Sequence, residues 1–548
     1  MTIYLDYAAS TPVDPRVAAV MAAWLVDPAM QANPASSTHG PGLAAHDRVE
    51  AARAEVAALI GAAPREIIFT SGATEANNLA LLGVAAAAIR ARRGAARGAR
   101  ADGNAPLGHF VSSRVEHKSV LDTLAQLERQ GFDVTLLEPD EWGRVPPEAV
   151  RTALRDDTLL VSLMLAHNEI GVLNDVEAIA RHAAERGALV HTDASQAAGK
   201  LPVDVARLGV DFLSLTAHKF YGPKGAGALY VRESARPRIA AIQFGGGHER
   251  GLRSGTLPTH QLVGLGAAAS LARESLTRDA AHARDLVSRL WRELEVIAGI
   301  ERNSRDDGIP GLLNVSFPGV EGESLITSLA GLAVSTGSAC SSASREPSYV
   351  LRALGRDPEL AQSSLRVSLG RFTTAAEIDA AAGEIRAQVA RLRRLAGIDE
   401  RGVESGTEEG RMPEPPQGSL LVRKLNPLAR RYFLAPPRHP GFLEGGAPED
   451  VRQGRAGRTA DGAEVLFELR LGPADNGGRI VKSARFTVYG CPHTVAVTSW
   501  VCEALEGRRL GEGPPGGPAD WAAAFEVPAE KLGRLLIVED ALRLAIEE

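Results

Sequence analysis

Cysteine is scarce in this chain, which has three cysteines, Cys340, Cys491 and Cys502, among 548 residues. So few cysteines exclude a disulfide framework and predict thiols that stay reduced. An excess of positive charge is also missing, because 61 Lys and Arg residues stand against 67 Asp and Glu residues. The charge balance therefore argues against binding to a nucleic acid or to an anionic membrane surface.

Long apolar runs are missing as well. No uncharged apolar stretch of the chain reaches the roughly 18 residues of a membrane-spanning helix. The N-terminal sequence MTIYLDYAAS lacks the basic region and the apolar run of a signal peptide. Apolar residues nevertheless make up 45% of the chain, which is enough for large buried cores. We therefore expect a cytoplasmic protein that does not enter the membrane.

Residues 1–396 alternate short apolar runs with Ala-rich amphipathic stretches. This pattern predicts an α/β domain with a large, mostly parallel sheet. Residues 92–107, which are rich in Arg, Gly and Ala, are interpreted as a surface insertion. The expected strands are residues 66–71, 158–165, 188–195, 212–217 and 227–232, and helices are expected at residues 75–91 and 175–186.

A second module is expected at the C-terminal side. Residues 397–418 have few apolar residues and much Pro, Gly and Glu, which is the composition of a linker. The module, residues 419–548, has strand-like alternation at residues 464–471 and 485–490. Helical patterns follow at residues 494–505 and 537–548, so the module is expected to be α+β.

Polar residues follow several of the predicted strands, where ligands bind in open α/β sheets. Asp193 ends one strand, and Thr216, His218 and Lys219 follow another. An acid and a lysine there suit pyridoxal phosphate (PLP), because the lysine forms the aldimine and the carboxylate keeps the pyridine nitrogen protonated. Singly, Lys219 is typical of a solvated surface lysine and Asp193 of a helix cap, but jointly they favour the cofactor site.

A turn of small residues follows the predicted strand 66–71. Gly72, Ala73 and Thr74 precede a predicted helix, and small residues at a helix N-terminus leave N–H groups free to hold a phosphate. An ordinary helix cap at Thr74 is the plainer interpretation of the turn alone. Together with Asp193 and Lys219, the turn favours a cofactor that carries a phosphate.

Ordered motifs along residues 1–396 carry a resemblance to a known family. They include YLDYAASTPVDPRV, FTSGATEANNLA, EHKSVLDT, HTDASQAAGKLPVDV, AHKFYGPKGAGALYVR, GGGHERGLRSGTLPTHQ, STGSACSSAS and SSLRVSLGRFTT. With these motifs the chain resembles group I cysteine desulfurases. The resemblance implies a fold-type-I PLP enzyme with a large sheet domain and a small α+β domain. It also implies a homodimer that converts L-cysteine to L-alanine.

The resemblance assigns a role in cofactor binding to several residues. Lys219 is expected to form the Schiff base, Asp193 to pair with the pyridinium, and Gln196 to bond the phenolic oxygen. His117 is expected to stack on the ring, with an ordinary helix cap as its plainer interpretation. Ala73, Thr74, Thr216 and His218 are expected at the phosphate, which Thr256 of the partner subunit completes. Thr216 stands where relatives usually have Ser, and the hydroxyl is kept.

The resemblance also assigns substrate and sulfur chemistry. Asn168 and Arg366 are expected to bind the substrate carboxylate, a task that suits a bidentate guanidinium. A surface ion pair is the plainer interpretation of Arg366. Cys340 is expected to receive the sulfur as a persulfide, since it lies in a run of small polar residues that predicts a flexible loop. This chemistry requires no metal.

The C-terminal module resembles, more distantly, the U-type iron–sulfur scaffold, through ARFTVYGCPHTVAVTSWVCEALEGR and VEDALRLAI. That scaffold holds a cluster with three cysteines and an assisting Asp or His, and Cys491 alone is matched. Asp461 falls near the first cysteine position and Ala463 at the Asp position, while Gly533 and Arg534 fall where His and Cys would be. Three interpretations stay open: Cys491 accepts a persulfide, the module is a docking or regulatory remnant, or Cys491, His493 and Asp461 bind zinc or iron weakly. A packed core residue is the plain alternative for Cys491.

Three functions are compatible with the sequence. The first is a desulfurase that supplies sulfur to an acceptor protein, for iron–sulfur cluster assembly or for other sulfur-containing products. The second is another PLP reaction, such as selenocysteine lysis or transamination, which needs no persulfide on Cys340. The third is a sulfur-relay or interaction protein in which the fused module matters more than turnover.

Overall fold

The computed structural model describes residues 2–27, 31–96, 107–336, 347–398, 420–437, 450–474, 478–514 and 516–547. Cys340, most of the predicted linker and residues 97–106 of the predicted insertion lie outside these ranges. Among the described helices, none is both long enough and apolar enough to cross a membrane.

A large sheet organises the first part of the chain, after strand β1 (Ile3–Tyr4) and helices α1 (Pro15–Val26) and α2 (Gly40–Leu59). Its described strands are β2 (Ile67–Thr70), β3 (His109–Ser113), β4 (Asp133–Leu137), β5 (Thr158–Ser162), β6 (Leu189–Asp193), β7 (Phe212–Thr216) and β8 (Gly227–Val231). The order across the sheet is β2-β8-β7-β6-β5-β3-β4. Strand β8 is antiparallel to both neighbours, and the other pairs are parallel. The mostly parallel sheet is therefore confirmed, with all five predicted strands in it.

Helices cover both faces of this sheet because its strands are apolar on both sides. In β7, Phe212 joins the core formed with α3 (Ala73–Ala96) and α4 (Lys118–Arg129). Leu213 joins the core formed with α2 and α6 (Val176–Glu185). This alternation is what a central strand of a doubly covered sheet requires. The helices are α3 (Ala73–Ala96), α4 (Lys118–Arg129), α5 (Pro147–Ala153), α6 (Val176–Glu185) and α7 (Val205–Leu208).

The prediction of a surface insertion at residues 92–107 was wrong about where it begins. Helix α3 continues through Ala96, so residues 92–96 are helical. Ala and Arg are strong helix formers, and the compositional bias that indicated a loop also favours extension of the helix. The predicted helices at residues 75–91 and 175–186 correspond to α3 and α6.

A long helix, α8 (Thr259–Leu294), leads into a smaller α+β part. Strand β10 (Leu312–Ser316) is the central strand of its antiparallel sheet, between β12 (Ser364–Ser368) and β9 (Glu301–Arg302). The N-terminal strand β1 pairs in parallel with β11, so the start of the chain is tied to this part. Its other elements are β9 (Glu301–Arg302), β10 (Leu312–Ser316), α9 (Gly322–Ser328), β11 (Leu332–Ala333), α10 (Tyr349–Ala353), α11 (Pro358–Gln362), β12 (Ser364–Ser368) and α12 (Ala375–Leu395).

The C-terminal module contains an antiparallel sheet in the order β13-β14-β15, covered by helices. The sequence patterns missed β13, because Gly454 and Gly457 weaken its alternation. Gly454 is needed there, since a Cβ on it would lie 2.1 Å from the Ala541 carbonyl oxygen. The elements are α13 (Leu420–Lys424), α14 (Pro427–Leu434), β13 (Val451–Arg458), β14 (Ala463–Pro473), β15 (Arg479–Tyr489), α15 (Pro492–Leu505), α16 (Pro518–Phe525) and α17 (Leu532–Glu547).

The module packs directly against the smaller α+β part. Ile385 and Val389 of α12 belong to the same buried apolar cluster as Phe486 of β15 and Val495 of α15. Arg391 of α12 donates a 2.9 Å hydrogen bond to the carbonyl oxygen of Phe433 in the module. The two parts therefore share one continuous core.

Candidate active site

One pocket, with a volume of about 470 Å³, lies at the carboxyl ends of β5, β6 and β7. This is the edge at which ligands bind in open α/β sheets. Ten of the residues singled out from the sequence line it: Ala73, Thr74, His117, Asn168, Asp193, Gln196, Thr216, His218, Lys219 and Arg366. Two residues with a predicted role in the active site do not line this pocket. Thr256 is exposed on the loop before α8, and Cys340 lies outside the described residues.

The turn between β2 and α3 forms one end of the pocket. Gly72 has φ +154°, and a Cβ on it would lie 3.6 Å from Thr216 Oγ1. The first N–H groups of a helix have no partner within the helix, and here they belong to small residues beside a hydroxyl. This end of the pocket therefore fits a phosphate group.

Asp193 is fixed by two donors. Its Oδ2 accepts a 2.8 Å hydrogen bond from Asn77 Nδ2, and its Oδ1 accepts a 2.9 Å bond from the N–H of Ser195. Asn77 was missed from the sequence, although it lies one turn after Ala73 on the same face of α3. The carboxylate is thereby oriented at the pocket, as a partner for a protonated ring nitrogen requires.

Lys219 and Gln196 meet at one backbone carbonyl group. Lys219 Nζ donates to the carbonyl oxygens of Ala8 and Ala9, the second at 3.0 Å. Gln196 Nε2 donates to the Ala8 carbonyl oxygen at 2.8 Å. Burial, with Lys219 and other nearby lysines, lowers the pKa of His218 to about 4, so this imidazole is neutral at pH 7.

His117 caps helix α4 and also faces the pocket. Its Nδ1 accepts a 3.1 Å hydrogen bond from the N–H of Ser119. The ordinary cap interpretation and the ring-stacking interpretation are therefore compatible, because the cap bond uses the ring edge at Nδ1 and His117 still lines the pocket. Other lining residues that the sequence did not single out are Ser71, Ser119, Met164, Ser195 and Lys224.

Arg366 is buried, so the plainer interpretation is wrong about its place at the surface, although it does form an ion pair, with Asp6. It donates to Asp6 Oδ1 at 2.8 Å and to the Asn168 carbonyl oxygen at 2.9 Å. Its Nε is also buried and has no partner among the described residues, and the same holds for the hydroxyl of Ser195. Buried polar groups normally have partners. Such orphaned atoms at a pocket wall fit a site that binds a polar cofactor and a carboxylate.

The comparisons with known proteins agree with this geometry. A family model described as aminotransferase class-V matches residues 3–381, and one described as NifU-like N terminal domain matches residues 431–548. The cysteine desulfurase IscS of Serratia proteamaculans (strain 568) is 51% identical over 399 residues, which cover 73% of this chain and 95% of that protein. A solved NifS-like protein is 36% identical with a TM-score of 0.63, and the match covers 71% of this chain and 100% of that one. A structure of SspA in complex with cysteine is 37% identical with a TM-score of 0.59, covering 68% and 100%.

The sheet, the pocket at its strand ends and these matches define the class: the chain belongs to the class-V aminotransferase family, which has the fold of type I PLP enzymes. Within that family it belongs to the PLP-dependent cysteine desulfurases, and it carries a NifU-like module at its C-terminal side. The family, the fold class, the cofactor and the scaffold-like module predicted from the sequence are confirmed.

Cys491 lies outside this pocket, at the N-terminus of α15 and fully buried. Its Sγ is 3.3 Å from Thr494 Oγ1. Arg534 of α17 lies beside the thiol, and its guanidinium also faces Gly462 and Glu321. The scaffold resemblance therefore placed Arg534 correctly next to Cys491, but the group there is a cation in place of a cysteine ligand.

The weak metal-site interpretation is not supported by the structure. Among the described residues, which include Cys491, His493 and Asp461, no group of three potential ligands is arranged to hold a metal ion. Asp461 is engaged at the surface in a 3.0 Å ion pair with Arg458. Cys502 lies in the module core, where burial raises the pKa of its thiol well above the usual range.

Helix α9 covers the Cys491 region. Ser324 Oγ donates a 2.7 Å hydrogen bond to the carbonyl oxygen of Gly490, and Lys531 of the module pairs with Glu323. Glu321, whose Oε2 accepts from the N–H of Ser324 at 2.8 Å, has a pKa raised to about 7 by burial and by neighbouring Cys491. Cys491 is thus sealed at the contact between the module and the catalytic part.

Proposed function

We propose that the chain converts L-cysteine to L-alanine and carries the released sulfur as a persulfide on Cys340. The observation that supports this best is the convergence of ten motif residues on one pocket. In this proposal residues 1–396 are the catalytic unit, residues 419–548 are the scaffold-like module and residues 397–418 join them. The enzyme acts in the cytoplasm and supplies sulfur for iron–sulfur cluster assembly, through an acceptor protein or a scaffold.

Several side chains of this chain have a defined role in the proposed reaction. When bound, PLP supplies an electron sink that stabilises negative charge at the substrate Cα. The Lys219 amine accepts the Cα proton. The orphaned Nε of Arg366 and the amide of Asn168 bind the substrate carboxylate. The Cys340 thiolate attacks the substrate sulfur, so that an S–S bond forms while the carbon–sulfur bond breaks.

We infer that the enzyme is a homodimer in which Thr256 reaches the phosphate end of the partner's pocket. Two observations support this. Thr256 is exposed, and it does not line the pocket of its own chain. Its hydroxyl is therefore free to serve a site outside its own subunit.

The deciding experiment incubates the purified holoprotein with L-cysteine and a reductant. Alanine and sulfide should appear in equal amounts, and mass spectrometry without reductant should find one extra sulfur on the Cys340 peptide. A protein that binds PLP but forms no alanine would contradict the desulfurase proposal. Alanine without a modified Cys340 peptide would contradict the assignment of the persulfide.

For the module, we propose docking onto the catalytic part as its principal role. The burial of Cys491 beneath α9 supports this choice. Persulfide transfer to Cys491 remains the second candidate. It requires that the outer sulfur of a Cys340 persulfide be attacked by the Cys491 thiolate, and so it requires the module to leave α9. A Cys491→Ser variant that changes sulfur delivery but not alanine formation would favour this relay.

Alkylation of the native protein tests the docking proposal. Cys491 should be protected from iodoacetamide, and Glu323→Lys should raise its alkylation rate about fivefold, because two like charges at the partly exposed Lys531 contact cost about 1 kcal/mol. Cys502 is the internal control, since it is buried within the module and away from α9. It should stay protected in both proteins. Rapid alkylation of Cys491 in the wild type would rule out a closed docked state.

A further inference from the structure

A second lysine, half-buried, lies behind the cofactor pocket. Lys200 Nζ donates a 2.9 Å hydrogen bond to Oε1 of Gln196. Through its other end, Gln196 donates to the Ala8 carbonyl oxygen, which also accepts from Lys219. A chain of hydrogen bonds therefore joins Lys200 to the lysine that is expected to hold the cofactor.

The backbone holds Lys200 in this position. The N–H groups of Lys200 and Leu201 both donate to the Ala197 carbonyl oxygen, which closes a tight turn. Gly199 in that turn has φ +74°, and a Cβ on it would lie 2.6 Å from Cβ of Phe220. Only glycine meets both conditions, so the turn directs Lys200 back onto Gln196, four residues earlier.

The charge of Lys200 lies close to other charged groups of the pocket. Burial, followed by the nearby charges of Lys219 and Arg366, lowers the pKa of Lys200 to about 7. Lys200 in turn contributes to lowering the pKa of His218. Lys219 and His218, from the segment after β7, and Arg366, from β12, are the titratable and charged groups that act on Lys200 or respond to it.

An amide can present either its oxygen or its N–H group to a pocket, and its partners decide which. Lys200 Nζ is the donor to Gln196 Oε1, and in its protonated form, which predominates below its pKa of about 7, it can only donate. Lys200 therefore holds the oxygen of Gln196 away from Ala8. We propose that Lys200 is a positioning residue, which holds Gln196 with its N–H side toward the cofactor and places a cation behind that amide. This proposal rests on the proposed function, in which Gln196 bonds the phenolic oxygen of PLP.

The test is a pH titration of the visible absorbance of the PLP-loaded enzyme. Lys200→Met removes a cation and loosens a donor to the phenolic oxygen, so the protonated form of the bound cofactor becomes more stable. The titration midpoint should rise by about one pH unit, the lower end of the effect of a charge a few ångströms away. Lys200→Arg keeps the charge and the donor and should stay within about 0.3 unit of the wild type.

The exposed Lys482 in the module supplies the matched control, because Lys482→Met removes the same charge far from the pocket. Its midpoint should equal that of the wild type. A Lys200→Met midpoint within about 0.3 unit of the wild type would overturn the proposal. Failure of the proposed function looks different, since the wild type would then form no alanine from L-cysteine, whatever the midpoints of the two proteins.

Unfolding of the apoprotein gives a second readout that does not depend on activity. The folded-state pKa of Lys200 is lowered from 10.5 to about 7. The unfolded chain therefore binds a proton that the folded chain lacks between these values, and wild-type stability rises with pH in this window. As the pH falls from about 10 to 7, the free energy of unfolding of the wild type should therefore decrease relative to that of Lys200→Met. A difference that is independent of pH would show Lys200 to be solvated, which contradicts the proposal.

Discussion

Replacement of Cys340 by Ser should lower alanine formation from L-cysteine at least about a thousandfold, the scale seen when a catalytic nucleophile is removed. A thiolate is the nucleophile in sulfur chemistry, and a serine hydroxyl is almost never ionised near neutral pH. The PLP absorbance of the variant should be unchanged, since no residue of the pocket is altered. Alanine measured by chromatography over time gives the rate.

Cys502→Ala is the matched control for this loss. Cys502 is buried in the module core, away from the pocket, so its removal should leave alanine formation close to that of the wild type. A Cys340→Ser protein that keeps more than a tenth of the wild-type rate would show that another group accepts the sulfur. Attention would then turn to Cys491, despite its burial.

Lys219→Ala should have an effect of the same size for a different reason. In the proposed function it removes the amine that accepts the Cα proton, and with it the covalent attachment of the cofactor. After borohydride reduction, wild-type protein should yield a cofactor-modified peptide that contains Lys219, and the variant should yield none. Asp193 and the phosphate end remain, so the variant should still retain PLP non-covalently.

Lys482→Ala controls for the loss of a lysine, because this side chain is exposed on β15. It should keep both activity and the modified peptide. If Lys219→Ala still yields a cofactor-modified peptide, a different lysine holds PLP. Lys200 and Lys224 would then be the candidates to examine, because both lie at the pocket or directly behind it.

The positions of the pocket residues were predictable because they depend on local patterns. Short buried strands place Asp193 and Thr216 at their ends, and parallel pairing of β6 with β7 brings those ends together. Residues that act through long-range contacts gave no such signal. Asn77 contacts Asp193 across 116 positions of the chain, and Lys200 lies in a turn whose purpose depends on the placement of Gln196.

The module was predicted less completely, for physical reasons that differ between its elements. Strand β13 has glycine where α17 approaches, so it lacks the apolar alternation that indicates a strand. The contact with α9 could not be inferred, since the charges of Glu321 and Glu323 are typical of a solvated helix start. Only the structure shows Arg534 and Lys531 facing them.

The shared core also couples the stability of the two parts. Leu365 and Val367 flank Arg366 in β12, and they belong to the same apolar cluster as Phe486 in β15 of the module. The apolar side chains beside Arg366 and those of the module therefore form one core. Removal of the module would expose apolar side chains of the catalytic part to water, so the two parts are expected to unfold as one cooperative unit.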